Sequence, residues 1–163
     1  MKPKVYLETT IPSYLTARPS QDLIRAANQY VTREWWDLRR DKFDLYISQI
    51  VLEEAAAGDP AAAALRLEAI EGVTVLKLSP EAKVLAEELT RAIPLPPKSA
   101  VDALHIAIGV VNGINYILTW NCRHIANAVH RSRIEAICRS SGWDAPVICT
   151  PDVLLGDDYD DFR

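Results

Sequence analysis

The stretch SAVDALHIAIGVVNGINYILT, residues 99–119, decides the fold class of this chain. Its first part, from Ser99 to Val111, is apolar almost throughout, which predicts a helix buried on most of its sides. Asn112 and Gly113 end that helix, and Asn115–Thr119 is predicted to form a short β-strand. A buried helix that leads directly into a strand is typical of a layered α/β protein.

The same alternation extends in both directions from this stretch. Further strands are predicted at Lys4–Leu7, Asp44–Ile47, Val73–Leu78 and Val147–Thr150. Helices are predicted at 21–40, from Ser48 to Gly58, at Ala61–Ile70, from Ser79 to Pro94 and at 123–140. Strands separated by helices predict a three-layer α/β/α fold with a mainly parallel, five-stranded sheet.

Length and composition place these elements in one domain. The chain has 163 residues, 49% of them hydrophobic, which is enough for one core. We assign residues 1–150 to the domain and 151–163 to an acidic C-terminal tail. Three cysteines without a CxxC pair favour reduced thiols. No apolar run approaches the roughly 20 residues that span a bilayer, so we expect a cytoplasmic protein without a membrane anchor.

The charge distribution limits how this protein can hold nucleic acid. The net charge is −4, which argues against binding by overall basicity. Residues 98–145 are locally basic, however, and side chains in this stretch are candidates for contacts with substrate phosphates. These candidates are Lys98, Arg123, His124, Arg131 and Arg133.

Polar side chains at the ends of predicted strands are the candidates for chemistry, since open α/β sheets bind ligands beyond the carboxyl ends of their strands. Glu8 follows the first strand and Asn121 the fourth, while Glu54 and Asp102 lie early in helices. Three carboxylates and an amide are hard oxygen ligands that suit Mg²⁺ or Mn²⁺. Such an ion would neutralise a phosphate and activate water. No phosphate-binding glycine loop, GxSxG or HExxH sequence competes with this hypothesis.

Each of these residues also has a structural interpretation. Glu8 can begin a helix as an acid favoured by the helix dipole. Asp102 can complete a capping box that starts at Ser99. Asn121 can cap the helix that follows it.

Two further residue assignments stay open, one on the helix after the second predicted strand and one on the apolar helix. Glu53 and Glu54 are adjacent, and helical geometry alone does not decide which of them faces a site. His105 lies one turn after Asp102 and is either a hydrogen-bonded core histidine or an auxiliary site residue, a role that Thr9 also suits.

Four segments together resemble the PIN-domain family, particularly the VapC-type toxins of bacterial toxin–antitoxin pairs. Each segment is weakly specific alone, but their order and spacing are those of the family, and they cover nearly the whole chain. The segments are VYLETT (residues 5–10), ISQIVLEE (47–54), VDALHIA (101–107) and ILTWNCRH (117–124).

The resemblance implies a PIN-like fold and a metal-dependent endoribonuclease. The family's first, second and third acids correspond to Glu8, Glu54 and Asp102, and its fourth acid to Asn121. Glu8 and Asn121 stand where the family usually has Asp. The resemblance further implies Mg²⁺ or Mn²⁺ as cofactor, an RNA substrate, a homodimer and an antitoxin partner.

Two other functions remain open. The first is a catalytically weak PIN-like module that binds nucleic acid or protein. Asn121 and His124 are also consistent with a variant form of the PIN-like site. The second is a purely structural partner protein, which would bind neither metal nor RNA.

Overall fold

A computed structural model of the chain describes residues 1–94 and 96–156. Strands and helices alternate along this part of the chain. The strands are β1 (Lys4–Leu7), β2 (Asp44–Ser48), β3 (Thr74–Leu76), β4 (Tyr116–Leu118) and β5 (Val147–Cys149). The helices are α1 (Thr10–Thr16), α2 (Leu23–Leu38), α3 (Gln49–Ala55), α4 (Pro60–Ala69), α5 (Pro80–Ala92), α6 (Ala100–Val111) and α7 (Ala128–Ser140). Short 3-10 helices lie at Arg40–Lys42, Pro97–Ser99 and Pro151–Leu154.

The five strands form one sheet in the order β3-β2-β1-β4-β5. All four pairings are parallel, so the predicted, mainly parallel sheet is confirmed and is parallel throughout the described residues. The chain moves outward from β1 to β2 and β3, then returns to the other side of β1 at β4. This reversal makes the β1/β4 boundary a topological switch point, where α/β proteins commonly bind ligands.

Two groups of helices cover the sheet. Right-handed crossovers place α1–α4 on one face and α5–α7 on the other. The packing agrees, because α1 contacts α2 and α4, whereas α5 contacts α6 and α7. The buried helix α6 lies very close to β4, since a Cβ on Gly109 would be 2.8 Å from Ile117 Cδ1. A glycine is therefore needed there for the close approach.

Capping side chains set most of the helix starts that the sequence predicted. Ser48, at the end of β2, accepts a hydrogen bond from Val51 N and begins α3. The predicted helix 123–140 is shorter than expected, because α7 begins at Ala128 after an Asn127 cap. The preceding residues form turns instead, in which Asn121 O accepts hydrogen bonds from two backbone amides.

The described part of the predicted C-terminal tail packs against the domain. Residues Pro151–Leu154 form a 3-10 helix that contacts α2, and Pro151 and Leu155 are buried. The acidic residues 157–161 lie outside the described residues. Within the described ranges, none of the helices has the length and apolar character needed to cross a membrane.

Candidate active site

Glu8 is a buried carboxylate at the end of β1, with only 4% of its surface exposed. Its Oε2 atom accepts hydrogen bonds from the backbone N and the hydroxyl of Thr10 and from Thr119 Oγ1, the last at 2.9 Å. These donors offset the desolvation of the carboxylate, which is otherwise costly. The hydrogen bond from Thr10 N lies at the start of α1, as the helix-start interpretation of Glu8 expects. That interpretation accounts for Oε2 and leaves the role of Oε1 open. No hydrogen bond from the described residues reaches Oε1.

Asp102 lies in the first turn of α6 and is held by the loop after β4. Its Oδ2 accepts a hydrogen bond from His124 Nδ1 at 2.9 Å, and its Oδ1 accepts one from Asn121 Nδ2 at 3.3 Å. Asn121 Oδ1 in turn accepts from His124 N at 3.0 Å. Ser99 makes no side-chain cap bond, so the capping-box interpretation of Asp102 is wrong. The expected helix cap at Asn121 is also wrong, because Asn127 caps α7.

The structure distinguishes the two adjacent glutamates of α3. Glu54 Oε1 accepts hydrogen bonds from Thr9 Oγ1 at 2.7 Å and from His105 Nε2 at 2.6 Å. Glu53 is exposed and makes no side-chain hydrogen bond within the described part of the chain. Burial alone would raise the pKa of Glu54, but the hydrogen bonds from His105 and Thr9 lower it on balance. Glu54 is therefore the glutamate that belongs to this cluster.

His105 connects Glu54 to the interior of the protein. Its ring is buried, and Nδ1 lies 2.6 Å from the Tyr6 hydroxyl, which lies 2.8 Å from Ser48 Oγ. Burial raises the pKa of Tyr6, and the nearby charges of Glu8 and Glu54 raise it further, against the opposing hydrogen bond with Ser48. Tyr6 is therefore neutral and donates one hydrogen bond.

Two geometric relations bring the predicted residues to one place. Tyr6 and Glu8 are two residues apart on β1, so their side chains point to the same face of the sheet. Asp102 and His105 lie one turn apart on α6, so they share a helix face. Thr119 Oγ1 bonds both Glu8 and Asn121 N, and Asn121 bonds Asp102, so Glu8 and Asp102 lie at the same carboxyl edge of the sheet.

Sequence reasoning missed four polar residues that support this site: Tyr6, Thr10, Ser48 and Thr119. Ser48 was identified only as a helix cap. The sequence did contain a signal for Tyr6. It lies two residues before Glu8, so in an extended strand both side chains point to the same face. Thr119 is a buried polar residue at a strand end, and its hydroxyl bonds both Glu8 and Asn121 N. Because a buried polar side chain needs a hydrogen-bond partner, the place of Thr119 at the end of a buried strand was itself a signal.

The predicted phosphate contacts are less concentrated than the acids. Arg123 is exposed, one residue beyond Cys122 in the loop that carries Asn121. Arg131 donates to Ile148 O in β5 at 3.1 Å, and Arg133 to Ala92 O at the end of α5 at 3.4 Å, so each has a backbone partner and neither bonds one of the candidate acids. The side chain of Lys98 lies outside the described part of the structure.

The donor set suits a hard divalent cation in its chemistry. Within the described residues, no three acidic, histidine or cysteine side chains are grouped around one point as a metal site. Mg²⁺ does not require such a cage, since it usually takes one or two carboxylates, several waters and substrate phosphates. Glu8 and Glu54 each have one oxygen anchored and the other without a hydrogen bond from the described residues, so each has an oxygen to offer.

Structural comparison identifies the fold. No protein-family model and no curated protein matches the sequence. Among solved structures, VapBC2 from Rickettsia felis, bound to a DNA fragment from its promoter, matches with a TM-score of 0.58 at 14% identity, over 90% of this chain and 98% of that one. The chain has the PIN-like fold. A second PIN-like match is Mycobacterium tuberculosis VapC20, a sarcin-ricin loop cleaving toxin, with a TM-score of 0.58 at 19% identity, over 76% of this chain and 95% of that one.

These matches confirm the PIN-like fold that the four sequence segments predicted. In the PIN-like sheet of this chain, Glu8 follows β1 and Asn121 follows β4, and Asp102 lies in the first turn of α6. Glu54 was expected early in its helix but lies in the last turn of α3, which ends at Ala55. Their roles in binding and catalysis remain predictions.

Proposed function

We propose that this protein is a metal-dependent endoribonuclease of the VapC type. The observation that carries the proposal is a hydrogen-bond network at the switch point of a PIN-like sheet, in which Thr119 joins Glu8 to Asn121 and Asp102, while Thr9, next to Glu8, bonds Glu54. The fold match to VapC20, a toxin that cleaves the sarcin-ricin loop, supports RNA as the substrate class.

In this proposal Glu8, Asp102 and Glu54 hold Mg²⁺ or Mn²⁺ through their oxygens. The bound ion would supply charge neutralisation at the scissile phosphate and a more acidic water. Thr10 and Thr119 fix the carboxylate of Glu8. Asn121 orients Asp102 by donating one hydrogen bond to it, and because it carries no charge it attracts an ion less than the usual Asp would.

Substrate binding falls to side chains beside the acids. Arg123 is exposed in the loop after β4 and can meet a phosphate oxygen without first breaking a hydrogen bond within the described residues. His124 can do so through Nε2 in its imidazolium form, in which Nδ1–H donates to Asp102 and Nε2–H is left for the phosphate. Lys98, Arg131 and Arg133 complete the proposed basic set, the two arginines after exchanging their backbone partners.

The proposal includes the biological setting of a toxin. We expect an antitoxin protein to inhibit this chain, a homodimer to be its working form, and the cytoplasm to be its location. The fold match to R. felis VapBC2, which was solved bound to a DNA fragment from its promoter, supports the expectation of an antitoxin partner.

Metal binding and cleavage are the first measurements. Calorimetry with Mn²⁺ alone should detect binding, and a structured RNA should be cleaved only when Mg²⁺ or Mn²⁺ is present. Asp102→Ala and Glu54→Ala should each lower kcat/KM by roughly 100-fold or more, because each removes a charge that acts where the transition state develops charge. Glu53→Ala is the matched control and should cleave at the unmutated rate.

A different result would point to the second candidate function, a catalytically weak binding module. Its supporting observation is that both oxygens of Asp102 already accept hydrogen bonds. RNA binding without Mn²⁺ binding, or an Asp102→Ala variant that cleaves as fast as the unmutated chain, would refute the nuclease proposal and favour this module.

A further inference from the structure

A chain of hydrogen bonds runs from the start of α3 through the protein interior to Glu54. Ser48 Oγ accepts from Val51 N at 3.3 Å, lies 2.8 Å from the Tyr6 hydroxyl, and is completely buried. The Tyr6 hydroxyl meets His105 Nδ1 at 2.6 Å, and His105 Nε2 meets Glu54 Oε1 at 2.6 Å. Three buried polar side chains thus end on one partly exposed carboxylate.

The direction of each bond follows from its ends. A carboxylate only accepts, so His105 Nε2 carries the proton that it donates to Glu54. In a neutral ring, Nδ1 is then an acceptor and takes its hydrogen bond from the Tyr6 hydroxyl. Tyr6 in turn accepts from the Ser48 hydroxyl. With Val51 N donating to Ser48, every polar group in the chain has a partner.

This arrangement is more than a core needs for packing. The sheet and α6 could meet here through apolar side chains, as they do at Ile117 and Gly109, without the desolvation of three polar groups. Polar networks restrict the geometry of their members because each bond has a preferred direction. Here the only member with substantial exposure is Glu54, at 40% of its side chain. The network therefore restricts the orientation of the Glu54 carboxylate, which belongs to the candidate site.

We propose that His105 is a positioning residue that fixes the carboxylate of Glu54, and that Tyr6 and Ser48 hold the imidazole in its Nε2–H tautomer. Through this chain, Oε1 of Glu54 is anchored and Oε2 remains for the ion. The proposal rests on the proposed function in that Glu54 is taken as a ligand of the site.

The tautomer can be measured without metal or RNA. Nitrogen-15 NMR of the three histidine rings, assigned with single variants at His124 and His130, should show the hydrogen of the His105 ring on Nε2 and Nδ1 as the acceptor. Tyr6→Phe should change the His105 ring signals, and Tyr46→Phe, the same change on the neighbouring strand, should leave them as they are. An Nδ1–H ring in the unmutated protein would overturn the assignment.

The effect on Glu54 is tested by two replacements of His105. Gln retains an N–H that can reach Glu54, whereas Leu has similar volume and no donor. Both replacements remove the ring nitrogen Nδ1 that accepts the hydrogen bond from Tyr6. His105→Leu should weaken Mn²⁺ binding by roughly 10-fold or more, the usual scale for residues that orient metal ligands, and His105→Gln should retain most of the affinity. Unfolding midpoints measured alongside should fall for both variants.

A purely structural His105 would lower stability and leave the Mn²⁺ affinities of the two variants equal, which overturns the proposal. Should His105→Leu fail to fold, Tyr6→Phe replaces it: weaker Mn²⁺ binding than in Tyr46→Phe supports the proposal, and equal binding overturns it. If the unmutated protein neither binds Mn²⁺ nor cleaves RNA, the proposed function has failed. The tautomer and its response to Tyr6→Phe then decide the positioning network separately.

Discussion

Two histidine–carboxylate pairs lie one helical turn apart, and they differ in what holds them. The core-side pair is His105 with Glu54, at 2.6 Å, and the loop-side pair is His124 with Asp102, at 2.9 Å. Helix α6 supplies the histidine of the first pair and the acid of the second. In the core-side pair the histidine is 1% exposed and tied to the interior, whereas both members of the loop-side pair are about one-fifth exposed, at 20% and 17%.

The site therefore combines one rigidly held histidine–carboxylate pair with one pair that can adjust. The histidine of the core-side pair cannot move without breaking its hydrogen bond to Tyr6, so the position of the ring is set when the protein folds. The loop-side pair depends on turns after β4 and can exchange its hydrogen bonds for other ligands at lower cost. Asp102 needs that freedom, since both its oxygens are occupied in the described structure.

The largest expected difference between the pairs is in stability. His105→Ala should lower the free energy of unfolding by about 2–4 kcal/mol, because it opens a cavity and leaves the Tyr6 hydroxyl without its acceptor. His124→Ala should cost about 1 kcal/mol or less, because water can replace the partly exposed ring. Urea unfolding of both variants measures this. Equal losses would show that the two pairs are equally embedded.

Gly109→Ala should act on the core-side pair, because Gly109 lies one turn after His105 on α6 and Ile117 is the strand partner of Tyr6. The new Cβ would lie 2.8 Å from Ile117 Cδ1 and 3.1 Å from Cγ1. Overpacking should outweigh the gain in helix propensity and cost about 1–2 kcal/mol. The ring signals of His105 should shift more than those of His124. Adding Ile117→Val makes room for the Cβ and should recover part of the stability; no recovery would mean that the clash lies elsewhere.

Asn121→Asp sharpens the comparison at the loop. It removes the amide that donates to Asp102 and adds a second negative charge, so we expect a loss of about 1 kcal/mol without metal. Mn²⁺ should raise the melting temperature of this variant more than that of the unmutated chain. Asn115→Asp, an exposed position whose oxygen accepts from Lys4 N, is the control. A variant that Mn²⁺ does not stabilise further would contradict a cation beside Asp102.

The smallest expected effect is the pH dependence of the core-side pair. Folding lowers the pKa of Glu54 from its ordinary 4.5, so its contribution to stability is complete above pH 4.5 and is lost as the pH falls through the lowered value. The stability difference between the unmutated chain and Glu54→Gln should therefore shrink below pH 4.5 and be constant above it. Urea midpoints from pH 3 to 7 measure this, and a difference that grows on acidification would reverse the sign.

The order of strands and helices, the parallel sheet and the positions of Glu8, Asp102 and Asn121 beyond its strands could be predicted from the sequence. These features depend on local properties: the period of apolar residues, caps such as Ser48 and Ser79, and the tendency of successive strands and helices to form layers. The start of α7 was misplaced, since the turns before it are stabilised by backbone bonds to Asn121 that have no local sequence signal.

Only the tertiary structure decided which atoms meet. The family resemblance had pointed to Glu54, but only its contacts with Thr9 and His105, which lie on other elements, distinguish it physically from Glu53. The anchoring of Glu8 by Thr119 joins residues 111 positions apart in the chain. Such contacts depend on strand register, on the approach of α6 to the sheet and on side-chain rotamers, all of which are set by packing of the whole domain. Local sequence thus determined which residues were candidates, and long-range packing determined how they are held.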